Sequence, residues 1–555
     1  MLVHGFGEGL RVADRGDHLV AAAAEDLGQA GGSAGRGALG TAGWLGATGF
    51  AAALAALSTL APHRVWGWCA AVGYLGAALA GRLPARPRRA LSAGAGFSLG
   101  SALPVGSVLS LGSALAGAVL VPFTVLLATG QAQSEVLVIE RSAATLLRSG
   151  TPYLADPRAV TDYNPYLPGM TLFGMPARLF GDGSAPARLA GDPRLWCAAA
   201  LVACLVAAHS VLRCGATPGA SARPLDAGHA IAVLVASPLV ALPLCVSGVD
   251  LPLTGLLALA LALAARHRPV AAGLALAAAC SLKWTALPAV AVAVALLATG
   301  PGLFAAGPFG ADRRAAGLFA PGRRAAVRCI VVWAGGTLTL VLPALLAAPG
   351  PLVEQVLRFP TGRGAVPTPA TSPMPGRLLA DLGPTGWYTA VLLLVCGGAA
   401  VAVSLVVRPP RGLVAAADRL AAGLCLAFLL APAGRFGYFA LPLLLVLWAR
   451  LATDRPLGHR SPSSRPVRPS PPVPPRRPVH RMTPPASAPP TSAGSPRKAA
   501  ALTMKTSSDP GHVAGPGPRL RNGQGQRRPR QLLEAAPVGG DSARPRHLLR
   551  LPPGR

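Results

Sequence analysis

Lysine is nearly absent from the first 450 positions of this 555-residue chain, and the single exception, Lys283, interrupts an apolar run, AAACSLKWTALPAV at 277–290. A cation inside such a run is costly and normally faces protein, water or a bound anion. Lys283 is therefore read as an anion-binding group in preference to an amine reaching for lipid headgroups. Asp250, in SGVDLP at 247–252, directly precedes another apolar run. It can cap a helix N-terminus and serve a site at once. Glu135 and Glu140 lie in SEVLVIERSAATLLRSG, five residues apart and so on different faces of a helix. Glu140, with Arg141 and Arg148 close by, is read as a structural ion partner. Glu135 has no adjacent cation and suits a carboxylate acting as a general base, with Asp162 the second candidate. Arg358, Arg363, Arg377 and Arg435 could grip phosphate oxygens in pairs. Tyr153, Tyr163, Tyr166 and Trp284 could stack on sugar faces or form an interfacial aromatic belt.

The elements that must position these groups are helices in a membrane. The chain is 52% hydrophobic and 13% charged, with mean hydropathy +0.47, whereas a soluble enzyme carries about 25% charged residues. Apolar runs recur near 41–61, 65–81, 105–129, 195–213, 227–246, 251–266, 270–282, 285–299, 326–348, 387–407, 412–431 and 436–450. About twelve transmembrane helices are predicted, because backbone polar groups in lipid must be satisfied within the segment. Basic clusters at Arg82–Arg89, Arg213 with Arg223, Arg266–Arg268, Arg313–Arg328 and Arg408 with Arg411 all fall on one side of this arrangement, which the positive-inside rule makes cytoplasmic.

The connections 131–193 and 349–386 then face outward. The first holds six of the seventeen acidic residues that precede the C-terminal tail. It also holds YNPYLPGMTLFGMPARLFG at 163–181, too broken by Pro and Gly for a clean span and read as a re-entrant or interfacial segment packed on protein.

Net charge is +30, but 19 basic and 4 acidic residues lie from Thr453 onward. Residues 453–555 are rich in Pro, Arg, Ser and Gly and are expected to be a disordered cytoplasmic tail. Such a tail suits anionic lipid, or an SH3-like partner at PPVPPRRP, although a solvated extension is the favoured reading. Nucleic acid is not expected as a partner, since no aromatic residues interleave with the arginines. Residues 1–40 are expected to be a weakly structured cytoplasmic segment without a signal peptide. Nine cysteines stand singly with no ligand spacing, so no metal site or disulfide framework is legible.

The arrangement resembles the GT-C type glycosyltransferases, in particular actinobacterial polyprenyl-phosphate-mannose-dependent mannosyltransferase-like membrane proteins. The resemblance rests on SEVLVIERSAATLLRSGTPYL, YNPYLPGMTLFG, GVDLP, SLKWTALP, RFPTGRGAVPTPATSPMPGRLL and GRFGYFALPL, within residues 41–452. It implies an all-α polytopic domain with long extracytoplasmic loops, in the plasma membrane, and a sugar transferred with inversion from a polyprenyl-phosphate donor to a glycan or glycolipid hydroxyl. Glu135 is the nearest substitute for the Asp that the class carries in its first outer loop, with Asp162 as alternative. Lys283, Arg435, Arg358 and Arg377 would stabilise the leaving phosphate, with Asp250, Tyr163, Tyr166 and Trp284 lining the substrate site. No cofactor is implied. A transporter, a lipid flippase or an inactive GT-C-like envelope protein is the alternative.

Overall fold

The structure is a computed structural model that describes residues 40–83, 105–214, 224–299 and 321–453. The chain divides into two units, Met1–Arg465 and Pro466–Arg555, and every described residue belongs to the first. The expected N-terminal segment before residue 40 and the tail beyond Thr453 lie outside the described residues. So do Arg86, Arg88, Arg89, Arg223, Arg313 and Arg314 of the basic clusters.

All regular elements among the described residues are helical, and the twelve apolar runs are largely helix, although 41–61 is interrupted at 58–60 and 227–246 at Ser237. Six are long and apolar enough to cross a membrane alone: α1 Gly40–Leu57, α3 Val105–Ala128, α5 Pro193–Arg213, α11 Pro321–Ala347, α12 Pro384–Val407 and α13 Leu413–Leu430. Between them lie α2 Ala61–Ala80 and α4 Ser134–Ser149. Next come α6 Gly228–Ala236 and α7 Pro238–Val246, a pair bent by 64° that together pass the same test. The shorter apolar helices are α8 Leu251–Ala265, α9 Pro269–Leu282, α10 Leu287–Ala298 and α14 Ala440–Ala452. Several apolar helices of this kind are those of a membrane protein.

The pattern of burial explains the short helices. Twelve of the fifteen residues of α8 are buried. A helix apolar all round belongs in a core, and α8 packs against α5, α9, α10, α13 and α14. Its length is about 22 Å at 1.5 Å per residue, short of a bilayer core of about 30 Å. By contrast α12 buries only Gly386, Ala390 and Leu405, so the rest of its surface is left to the surrounding medium.

Small residues set the closest approaches, as expected where helices pack without a hydrophobic drive. A Cβ on Gly73 of α2 would lie 2.6 Å from the Gly117 Cα of α3. Ser113 and Ser110 donate across the same contact to the Gly73 and Ala77 carbonyls, at 3.0 and 2.8 Å. Just beyond, Pro122 has no N–H to offer the carbonyl of Ala118, four residues back. The helix widens into a π turn at Ala116–Leu120, and the freed Ala118 carbonyl accepts from Trp66 Nε1 at 2.9 Å and Cys245 Sγ at 3.4 Å.

The connection at 150–192 is ordered. Tyr153 donates to the Tyr166 carbonyl at 2.9 Å, and the Leu167 N–H donates to the Leu282 carbonyl at 3.0 Å. Fully buried Gln355 joins the two long connections, accepting from the Asn164 N–H at 3.0 Å and donating to the Leu154 carbonyl at 2.6 Å. The stretch Pro168–Gly174 is a 3-10 helix laid on α4 and α9. Gly169 and Gly174 are required there, because a Cβ would come within 2.3 Å of Ser281 Oγ and of the Ile139 carbonyl oxygen.

Candidate functional site

Four ends of chain converge on one cavity of about 1960 Å³. The first turn of α4 supplies Glu135, and the turn before α8 supplies Asp250. The break between α9 and α10 supplies Lys283 with Trp284, and the loop before α14 supplies Arg435 and Tyr438.

Two ion pairs form there. Arg435 Nη1 pairs with Glu135 Oε1, joining residues 300 apart in sequence. Lys283 Nζ donates to Asp250 Oδ1 at 2.9 Å across 33 residues. Asp250 occupies the N-cap position of α8, but its side chain makes no cap hydrogen bond. The carboxylate is turned to Lys283 instead.

The Lys283 side chain is only 15% exposed. Burial alone would favour the neutral amine, but Asp250, then Tyr438 and Glu135, outweigh it and hold its pKa above the ordinary value. Its ammonium stands 4.9 Å from the Tyr438 ring centre and 5.9 Å from that of Tyr166, within cation–π range. Arg435 follows the same logic: burial opposes its charge, and Glu135, Tyr438 and Tyr166 more than compensate.

The backbone holds Arg435 from the other side. The connection at 370–374 runs parallel to the 434 loop through a single bridge, Thr371 to Gly434. The Gly434 N–H donates to the Ala370 carbonyl and the Ser372 N–H to the Gly434 carbonyl, both at 3.0 Å. Arg358 reaches the same cavity and lies 3.6 Å from Glu354.

Three expected site residues stand off the cavity lining. Asp162 accepts from the Ala159 and Arg158 N–H groups at 2.9 and 3.1 Å and pairs with Arg141 at 2.9 Å. These bonds, that of Ala159 first, hold its carboxyl below the ordinary value, and they staple its own turn. Tyr163 is buried with its ring stacked on Phe359 at 4.3 Å. Arg377 pairs with Asp381 one turn along its own short helix, at 2.5 Å. Glu140 makes no ion pair within 4 Å among the described residues. Arg141 is taken by Asp162, and burial, then Asp192, pushes the Glu140 carboxyl up.

One group on the lining, His63, escaped the sequence analysis, whereas Arg363, named there, does reach the cavity. His63, in the first turn of α2, lies 2.5 Å through Nε2 from the Gln133 side-chain amide, and Gln133 is the N-cap residue of the helix that carries Glu135. Burial pushes the His63 imidazole below its ordinary value, against the pull of Glu135. Arg363 lies 4.1 Å over Trp387 and 5.0 Å over Tyr388.

Beyond this charged end the cavity runs on as an apolar groove between α12 and α13. Trp387, Gly397, Gly398, Val401, Leu405, Gly423 and Arg419 line it. From Trp387 to Leu405 the groove follows about 27 Å of helix, at 1.5 Å per residue, close to the hydrocarbon thickness of a bilayer, about 30 Å.

The arrangement offers anions a group of cations at one end and offers a hydrocarbon chain a channel leading away from it. No group of three or more His, Cys, Asp or Glu side chains placed to hold a metal occurs among the described residues. No family model, no curated protein and no solved structure matches the chain.

Proposed function

We propose that this chain is a membrane glycosyltransferase that moves a sugar, mannose-like, from a polyprenyl-phosphate donor to an acceptor hydroxyl on the extracytoplasmic side. It would be a twelve-span relative of the GT-C enzymes in the plasma membrane. The observation that carries the reading is the continuity of one cavity, from two half-open carboxylate–cation pairs into a groove about as long as a bilayer core is thick. A phosphate carrying a long hydrocarbon chain matches both parts.

In the reaction the acceptor oxygen attacks the sugar carbon and the bond from that carbon to the phosphate oxygen breaks, its electron pair leaving on the phosphate. Lys283 and Arg435, with Arg358 at the rim, stabilise that growing charge. The acceptor proton goes to Glu135. Glu135 is paired with Arg435. An incoming phosphate competes for the same guanidinium and frees the carboxylate to act as base. A phosphate leaving group needs little protonation, so one carboxylate serves where hydrolytic glycosidases use two.

Membranes given radiolabelled polyprenyl-phosphate mannose test this directly. Incorporation should occur with the wild-type chain and fall steeply with Glu135→Gln and Lys283→Ala. Equal incorporation by all three defeats the assigned roles.

One observation favours a second reading, a carrier or lipid flippase. The 64° break between α6 and α7 places Leu239, Leu242 and Val246 on the cavity wall, and broken helices line the sites of many transporters. Tags placed at 250 or 283 and exposed to the cytoplasm would remove the transferase model. Donor-lipid movement across vesicles without sugar transfer would establish the carrier.

A further inference from the structure

The groove has a second charged end that sugar transfer does not use. Arg419 sits six residues into α13, about 9 Å from its start, within LVAAADRLAAGLCLAFLL. It is half-buried on the groove wall. Its Nη1 donates to the Ser404 hydroxyl of α12, a neutral partner, and no carboxylate lies within 4 Å among the described residues. The adjacent Asp418 is taken by Arg450, which grips it at 2.6 and 3.1 Å. A guanidinium carries five donors. In an apolar wall such a cation calls for an anion, and basic pockets between membrane helices are where lipid headgroups bind.

We infer that Arg419, with Ser404, binds the phosphate of an anionic glycerophospholipid whose acyl chain lies in the groove between α12 and α13. Charge complementarity selects the headgroup, because a phosphodiester without an ammonium leaves a net charge for Arg419 to neutralise. Steric room selects the chain. Gly398 lies on the groove with nothing within 4 Å of where its Cβ would be, and a Cβ on Gly423 would make only ordinary contact with Val401 at 3.5 Å. With so few residues of α12 buried, the groove can be entered from the side. This end is separated from Trp387 by most of the length of α12, so the headgroup site stands apart from the Glu135 and Lys283 pairs, and the lipid's acyl chain and a donor's hydrocarbon chain are alternative occupants of the one groove.

Native mass spectrometry of the full chain, titrated with phosphatidylglycerol and with phosphatidylcholine, is the test. Phosphatidylglycerol should bind about fivefold more tightly, the effect of roughly one added charge contact. Arg419→Gln should abolish that preference, and Arg419→Lys should retain part of it. Gly398→Leu, which fills open space, should weaken both lipids alike. Three results overturn the proposal: no preference in the wild type, an unchanged preference in Arg419→Gln, or displacement of the bound lipid by millimolar inorganic phosphate, which marks a free-anion site. Melting of each variant without lipid verifies that it is folded.

Discussion

Two kinds of carboxylate–cation pair occur in this molecule, and they differ in how much of the cation is spoken for. Arg194 and Asp192 are 3% and 8% exposed. The guanidinium spends its donors on both Asp192 oxygens and on the Gln131 and Cys245 carbonyls, at 2.7–3.2 Å, and Phe123 lies 5.2 Å from it. Four of its five N–H groups are so spent, and it does not line the cavity. Arg435 and Lys283 each hold one carboxylate and turn the rest of their capacity to a cavity. The closed pair binds the start of α5 to the ends of α3 and α7, whereas the open pairs leave donors for an incoming anion.

Breaking the closed pair should have the largest effect. Arg194→Met strands a buried carboxylate and should destabilise the fold by about 3–5 kcal/mol, read as a large drop in melting temperature. A stability change below 1 kcal/mol would mean the pair is not closed. Lys283→Ala should show the opposite balance. Transfer should fall about 10²- to 10³-fold, the scale of one lost charge-stabilising donor, while the half-open site lets water reach Asp250 and limits the loss of stability to about 1–2 kcal/mol. Melting losses equal to those of Arg194→Met would mark Lys283 as structural.

Asp162→Asn keeps one acceptor oxygen for the two N–H groups but removes the charge that strengthens those bonds and pairs with Arg141, and should cost about 1 kcal/mol with little change in transfer. Because the folded state holds the Asp162 carboxyl below its ordinary value, its contribution is present above that ordinary value and lost as pH falls through the lower folded one. Wild type and variant should therefore converge in stability on the acid side. Convergence at alkaline pH instead would break the assignment. Arg377→Ala, at an i,i+4 pair near the surface, should change stability by less than about 0.5 kcal/mol. A large effect on transfer there would bring Arg377 back into the site.

The sequence made Lys283 and Glu135 conspicuous for different reasons, one as a cation in an apolar run and the other as an acid with no local partner. Local partners explain the groups that stand apart: Asp162 has N–H groups three and four residues back, and Arg377 has Asp381 one turn on. Arg419, also a cation inside an apolar run, was not singled out, and sequence alone does not say whether the adjacent Asp418 is its partner. Only the structure assigns Asp418 to Arg450. His63 carried no signal, since its relation to Glu135 passes through Gln133, 70 residues away.

Composition and hydropathy determined by themselves that this chain forms apolar helices, because hydropathy and backbone satisfaction in lipid act within a single segment, but not where every helix breaks, as at Ser237 within 227–246. Which ends meet was decided by tertiary packing alone. Glu135 finds Arg435 across 300 residues because small-residue contacts and a largely buried central helix bring their loops to one end of the bundle, and no local rule of spacing encodes such a meeting.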